Sequence, residues 1–459
     1  VLRQDTIAAL ATPFGISGIG IIRLSGPESL VVARRIFQPS TGICSWESHH
    51  LYHGDIVSDD GKTILDEVLI SFMGKPHSFT GEDVVEINCH GNPLIIQSIL
   101  AQLETLGCRL ARPGEFSERA FLNNRLDLSQ AEALSAMICA KSAKACAMGL
   151  AQLKGSLRNE IEELRLLLID ALAFLEVAID FTEDISGERI PEIPPQINQA
   201  LERIQSLISS YRSAKIFTEG INVIITGKPN VGKSSLLNAL TGRKKAIVTD
   251  IPGTTRDLIT DTINVGGIPV HLVDTAGIRE PQNAIEKEGI SLVWESLAEA
   301  DVIIIMLDVS KPLTEEDKII VNKNKSGAII AAINKIDLPR AWENNTIEKL
   351  FPPEAKLLDI SAKSGAGLEE LKKTIMDLSV RENIENTDSA IITNLRHKLA
   401  LEKSYKNIQK AKESMLGGMS SEFAAFDLRE ALDSLDEITG KKINDEILDK
   451  IFSSFCIGK

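Results

Sequence analysis

The sequence predicts a multidomain α/β protein: an N-terminal α+β domain, an all-α helical domain, and a doubly wound α/β domain inserted in the helical one. Three observations predict it. GKPNVGKS at 227–234 lies between an apolar run, Ile221 to Thr226, and a helical pattern, Ser234 to Leu240. Three further apolar runs downstream each end in a polar loop motif, which is where a doubly wound sheet sets its ligand site. Ahead of this block, Leu126 to Phe181 is helical in pattern and almost free of Gly and Pro, and helical periodicity resumes after Ser379.

Residues 1–121 read as α+β, with strands at Ile19 to Leu24, Glu67 to Phe72 and Val84 to Asn88 and a helix from Pro93 to Leu106. Gly15, Gly18 and Gly20 lack the G-x-G-x-x-G spacing and a preceding strand, so no dinucleotide site is expected there. His49, His50 and His53 lack a carboxylate or thiol at metal-ligand spacing and read as a solvated stretch. Residues 122–216 form the first helical part. Leu164, Leu167, Leu168, Ala171, Leu172 and Leu175 make its apolar stripe, and SGERIPEIPP at 186–195 breaks it before a helix at Ile197 to Ser213. The second helical part, 384–459, carries Leu395, Leu399 and Leu401, then Leu428, Leu432, Leu435 and Ile438, then Ile447 and Ile451. Two independent helical modules would each leave an unpaired apolar face, so insertion of 217–383 into one helical body is the economical reading.

The inserted segment carries the chemistry. Gly227 and Gly232 let backbone N–H groups close around phosphate oxygens where a Cβ would block approach. Lys233 supplies charge to the β- and γ-phosphates, Ser234 offers a hydroxyl to Mg²⁺, and the helix N-terminus adds its dipole. Asn230, Val231 and Ser235 complete the cradle. Asp274-Thr275-Ala276-Gly277 follows a strand at Ile268 to Val273; its aspartate can hold Mg²⁺ through water and Gly277 can meet a γ-phosphate. Asn334-Lys335-Ile336-Asp337 follows Ala328 to Ile333, and Asp337 suits the paired donors of guanine, which adenine lacks. Ser361-Ala362-Lys363 follows Lys356 to Ile360 and backs the base with main-chain N–H groups. The substrate expected is GTP, and this segment resembles the translation-factor-like GTPases.

Two details set it apart from Ras-like switches. Position 278 is Ile rather than the water-orienting glutamine, so another group must position the water. Asn230 stands inside the cradle, where its side-chain oxygen can ligate a monovalent cation; a turn residue tolerant of left-handed backbone is an equal reading. Thr249-Asp250-Ile251-Pro252-Gly253-Thr254-Thr255 can supply further oxygens to such a cation and Thr255 to Mg²⁺. A K⁺ there does the electrostatic work of an arginine finger.

A net charge of −14 argues against generic adhesion to nucleic acid or membrane, so any RNA contact is expected to be local. The six cysteines contain no C-x-x-C pair and no secreted framework. The opening VLRQDTIAAL has no basic start or apolar core of a signal peptide, and no run is long enough to span a bilayer. A cytoplasmic protein is expected. Cys456, in CIGK at 456–459, is either part of a frayed end or a thiol delivered to another domain's site.

Several segments together resemble the MnmE (TrmE) family of tRNA modification GTPases, within the TrmE-Era-EngA-like group. They are GIGIIRLSG at 18–26, FTGEDVVEINCHGN at 79–92, RPGEFSERAFLNNRLDLSQAEAL at 112–134, the cradle, TDIPGTTRD at 249–257 and the final CIGK. The resemblance implies an N-terminal domain that binds 5-formyltetrahydrofolate or a related tetrahydrofolate and forms a homodimer. Its contacts would be Arg23, Glu82, Arg125 and Lys459; the family commonly has Lys at the position of Arg125, which replaces a point charge by a fork. It assigns K⁺ to Asn230, Thr249, Ile251 and Thr254, Mg²⁺ to Ser234 and Thr255, and the water-orienting role to Glu286. It implies an FAD-carrying partner of the MnmG type, in a heterotetramer, acting on the wobble uridine of certain tRNAs, with Cys456 a candidate for the uracil or folate chemistry. The product would be an aminomethyl-type derivative at C5, such as carboxymethylaminomethyluridine.

Three rivals are weaker. A ribosome-assembly GTPase of the Era or EngA type should carry a KH-like module or a second GTPase domain, and neither pattern is present. A free-standing one-carbon transferase leaves the guanine motifs unused. A pure regulatory switch without enzymatic contribution is the third, and titrating folate against isolated residues 1–120 separates it from the second.

Overall fold

The computed structural model describes residues 5–42, 45–59, 61–180, 193–242, 260–274, 300–323, 328–343, 347–348, 350–379, 390–417 and 419–458. Two compact units result: residues 1–138, 149–206 and 396–459 form the first, and 139–148 with 207–395 the second.

The first unit opens with β1 (Ile7–Leu10), β2 (Ser17–Ser25), α1 (Ser29–Ile36), β3 (Phe37–Pro39), β4 (His50–Val57), β5 (Ile64–Met73), β6 (Val84–Gly91), α2 (Pro93–Thr105) and β7 (Arg109–Leu110). The strands form one sheet in the order β3-β4-β5-β6-β2-β1-β7, antiparallel except for β1 with β7. Alternation decides which face is covered. Ile22, Leu24, Ile70, Val85 and Ile87 are buried with Val32 and Ile36 of α1 and Ile96, Ile99 and Leu103 of α2. Arg23, Ser71, Glu86 and Asn88 point to the other face. β1, β3, β4 and β7 were not expected: each is short or polar and is recruited by its neighbour's ladder rather than by its own pattern. Thus the stretch read as solvated contains a strand. His50 and His53 lie exposed on it, and His53 pairs with Glu67 of β5 at 2.8 Å. Among the described residues no cluster of metal-ligating side chains occurs.

Helices follow: α3 (Glu115–Leu122), α4 (Leu128–Ile138), α5 (Ala143–Leu153), α6 (Ser156–Asp180) and α7 (Pro195–Thr218). On α6, Leu164, Leu168, Ala171 and Leu175 are fully buried, the stripe read from the 3.6-residue period.

The second unit then places β8 (Ile221–Gly227), α8 (Lys233–Thr241), β9 (Thr260–Val265), β10 (Ile268–Asp274), β11 (Val302–Asp308), α9 (Glu315–Lys323), β12 (Ala328–Asn334), β13 (Lys356–Asp359) and α10 (Leu368–Ser379). Its sheet runs β13-β12-β11-β8-β10-β9, parallel but for β9. β11 and β12 are almost entirely buried, as apolar runs covered on both faces must be.

The chain returns to the first unit with α11 (Leu395–Leu416), α12 (Ser421–Thr439) and α13 (Asp445–Ser453). Leu395 and Leu399, expected inside, are 51% and 54% exposed. The face that packs is His397, Ala400, Leu401, Ser404, Ile408, Ala411 and Met415, because steps of three and four from Leu401 select small residues there. α12 stops at Gly440, φ +83°, where a Cβ would stand 2.8 Å from the Phe121 ring. Among the described residues no helix is long and apolar enough to cross a membrane.

Candidate functional site

The carboxyl ends of β8, β10, β11 and β12 bring Gly227, Asp274, Asp308 and Asn334 to one edge of the second unit's sheet, where open α/β sheets bind ligands. The loop after β8 turns on glycines. A Cβ on Gly227 would lie 2.6 Å from the Met306 carbonyl oxygen, and one on Gly232 only 2.3 Å from Asn334 Nδ2. Lys233 opens α8 and is buried. Its Nζ donates to the carbonyls of Gly227 at 2.7 Å and Lys228 at 2.8 Å, which sets its ammonium inside the curl of the loop. Ser234 and Ser235 stand exposed in the first turn of α8, where the helix dipole favours anions. Val231 is buried and anchors the loop to the core.

The base-side motifs are tied to this loop. Asn334, 2% exposed, donates from Nδ2 to Val231 O at 2.8 Å and accepts from the Ala362 N–H at 2.9 Å. Lys335 Nζ donates to Asn230 O at 3.0 Å and to Asp308 Oδ2 at 2.6 Å. Burial alone would raise the Asp308 pKa, but Lys335 and Ser310 hold its carboxyl below the usual range. Asp337 is exposed and accepts from Ser361 Oγ at 2.7 Å; that bond, with Lys363 and Lys335 nearby, lowers its pKa. An ionised, outward-facing carboxylate can accept both donors of a guanine edge. Asp308 was missed in the sequence, although its place at the end of an apolar strand is the signal that found its neighbours.

Asn230 has φ +64°, the left-handed turn of one of its two readings. Thr249, Asp250, Ile251, Pro252, Gly253, Thr254, Thr255, Thr275, Ala276, Gly277, Glu286 and Lys459 lie outside the described residues, as does the side chain of Asp274.

A second group of polar side chains gathers in the first unit around residues 78–82. Arg23 on β2 faces Glu86 on β6, with Nη2 2.7 Å from Oε1, and its guanidinium lies over the rings of Phe79 and Phe116 at 5.4 and 5.7 Å. Glu82 accepts from Ser25 Oγ at 2.6 Å and from Arg119 Nη1 at 3.2 Å. Arg125 donates from Nε to Ser78 O at 3.1 Å, its stem against Gly81. Arg23, Glu82 and Arg125 are thus brought to one loop. Arg119, Ser25, Phe79 and Phe116 were missed; only contact across the sequence identifies them.

The end of the chain reaches the same place. Phe452 of α13 packs on Phe121 and Phe455, with ring centroids 6.2 and 5.3 Å apart. The Gly114 N–H meets the Cys456 carbonyl at 3.4 Å, and Arg23 Nη1 donates to Gly458 O at 3.3 Å. Gly458 is so close to β1 that a Cβ would stand 2.4 Å from Leu10 O. The Cys456 thiol is free and exposed.

Comparison with known proteins gives matches along the whole chain. A family model described as the MnmE helical domain matches residues 128–456, and one described as the GTP-binding protein TrmE N-terminus matches residues 6–125. The tRNA modification GTPase MnmE of Syntrophus aciditrophicus is 45% identical over 458 residues and that of Acetivibrio thermocellus 42% identical over 461, each match spanning 100% of both chains. Among solved structures, Era from Aquifex aeolicus bound to GDP and AlF4⁻ shares 33% identity over 40% of this chain and 66% of its own, with a TM-score of 0.29. Full-length identity of this order, together with the guanine-nucleotide motifs at the sheet edge, means that the chain belongs to the MnmE family of tRNA modification GTPases.

Proposed function

We propose that this GTPase is K⁺-activated and acts with an FAD-dependent partner of the MnmG type on C5 of the wobble uridine of certain tRNAs. The product is an aminomethyl-type derivative, and the one-carbon unit comes from a bound tetrahydrofolate. The observation that carries the folate reading is the convergence of Arg23, Glu82 and Arg125 on residues 78–82. A carboxylate held by Ser25 and Arg119 suits the amide and amino edge of a pterin, and cations suit a glutamate tail. The final residues lie at Arg23, so the exposed Cys456 thiol belongs to the same region as the proposed ligand.

In hydrolysis, water attacks the γ-phosphorus while the bond from phosphorus to the β–γ bridging oxygen breaks, its electron pair leaving with GDP. Lys233 and the α8 N-terminus face the phosphates, and Asp337, Asn334 and Ser361 hold the base. Asn230 has its carbonyl on Lys335 and stands exposed in the loop, which leaves its side chain open to a K⁺. K⁺ on Asn230, Thr249, Ile251 and Thr254, and Mg²⁺ on Ser234 and Thr255, would supply positive charge against the charge developing on the phosphates. Glu286 orients the attacking water in place of the glutamine absent at 278. A homodimer, assembled with the partner as a heterotetramer in the cytoplasm, completes the proposal.

The test is mass analysis of wobble uridine from cells lacking this gene, with and without the wild-type copy. Restoration by wild type but not by an Arg23→Ala, Glu82→Ala double variant, which should still hydrolyse GTP, is expected. Unmodified tRNA in every strain, or full restoration by the double variant, would overturn the folate reading.

A further inference from the structure

The phosphate loop is also tied to two residues that lie outside the guanine-nucleotide motifs, Thr314 and Asp317. Between Gly227 and Gly232 three residues have positive φ: Gly227 at +150°, Asn230 at +64° and Gly232 at +106°. Glycine adopts such backbone readily, but at Asn230 it persists only where its surroundings over-determine it. Asn334 holds Val231 O and Lys335 holds Asn230 O, which fixes the carboxyl half. In the amino half, Lys233 bonds the carbonyls of Gly227 and Lys228, but its ammonium is the group that phosphates compete for.

Lys228 provides a further hold on this half, beside the ladder that pairs Gly227 with Met306. Its Nζ donates to Asp317 Oδ2 at 2.6 Å and to Thr314 Oγ1 at 3.0 Å. The side chains of Lys228 and Asp317 are 17% and 3% exposed, so the pair is shielded from screening. Asp317 Oδ2 also accepts from the N–H of Thr314 at 2.8 Å and from its hydroxyl at 3.1 Å, which closes the first turn of α9 in the manner of a capping box. One carboxylate therefore fastens the start of α9 and the start of the phosphate loop. Neither Asp317 nor Thr314 belongs to a nucleotide motif.

We infer that Lys228 is a positioning residue of the GTPase: its ion pair with Asp317 holds the amino half of the phosphate loop in the conformation that hydrolysis needs. Main-chain N–H groups running into the α8 terminus cradle the α- and β-phosphates. GDP, which carries only those two, reads the carboxyl half. The half held by Lys228 is left to the γ-phosphate end, where a displacement near 1 Å costs about a hundredfold in rate. Loss of the pair should therefore act on turnover and spare GDP.

The experiment measures GTP hydrolysis and GDP binding by the full chain at saturating GTP, K⁺ and Mg²⁺. Lys228→Met is expected to lower kcat at least about tenfold while GDP affinity stays within about threefold of wild type. Lys228→Arg should recover most of the rate, because a guanidinium fork can reach both oxygens. Unchanged kcat in Lys228→Met would overturn the inference. So would a loss of GDP affinity as large as the loss of rate, or a failure of Lys228→Arg to recover it, since either marks a role in fold or in general binding. Should Lys228→Met not fold, Asp317→Asn decides the matter. It keeps an oxygen for the Thr314 donors but removes the charge, and a normal kcat there would equally overturn the pairing.

Discussion

Arg23 and Gly458, 435 residues apart in the sequence, meet at 3.3 Å, with the guanidinium Nη1 donating to the glycine carbonyl. Gly458 is packed against Leu10 and Ala11 of the first unit. The chain end and the N-terminal sheet thus form one polar neighbourhood within a single unit.

Deleting residues 456–459 should leave GTP hydrolysis unchanged, because the deletion touches no nucleotide motif, but should abolish tRNA modification. Cys456→Ser separates thiol chemistry from docking, since it keeps size and hydrogen bonding and loses the thiolate. Both variants are expected to fail when wobble uridine is assayed by mass. Normal modification by the truncated chain would mean that the tail serves no chemistry. Failure of the truncation alone would exclude the thiol.

Hydrolysis should rise steeply when Na⁺ is replaced by K⁺, on the order of tenfold or more, since a charge placed between phosphate oxygens acts on the transition state. Asn230→Ala should remove the difference between the two salts. Equal rates for the wild-type protein in both would rule out a cation role for Asn230 and leave it a turn residue.

Glu286→Ala should lower kcat by roughly a hundredfold or more with GTP affinity almost unchanged, as expected of a group that acts mainly in the transition state. Stopped-flow binding and single-turnover hydrolysis check it. A comparable loss of affinity would make Glu286 a structural residue instead.

Glu132, on α4, accepts from His397 Nε2 at 2.7 Å and from Arg396 Nε and Nη2 at 2.9 and 2.7 Å. Burial would raise its pKa, yet His397 and Arg396 outweigh it and bring the carboxyl down to about 2. A carboxyl depressed on folding stabilises fully above its unfolded pKa, near 4.5, and that contribution is lost as pH falls from there towards about 2. Glu132→Gln should therefore reduce stability at neutral pH by about 3 kcal/mol, and the gap from wild type should close in that acid window. Denaturant melts at pH 7 and pH 2.5 check it; an equal gap at both would mean that Glu132 acts through packing, not charge.

The placement of the nucleotide motifs was readable from sequence because each motif is local. Each motif is a short loop following its own apolar strand, so Gly227 to Ser234, Asn334 to Asp337 and Ser361 to Lys363 carry strand, turn and functional group together. The 3.6-residue period likewise identified the buried stripe of α6. Period alone misjudged α11, where Leu395 and Leu399 stand outside and Ala400 and Ser404 inside, because which stripe is covered depends on the helices that pack against it. Tertiary structure alone decided the partners: Arg119 on Glu82, Gly458 on Arg23, Asp317 on Lys228. The physical reason is that a charged side chain is satisfied by whichever opposite charge or carbonyl the fold delivers within about 3 Å, and the chain order places no limit on how far along the sequence that group lies.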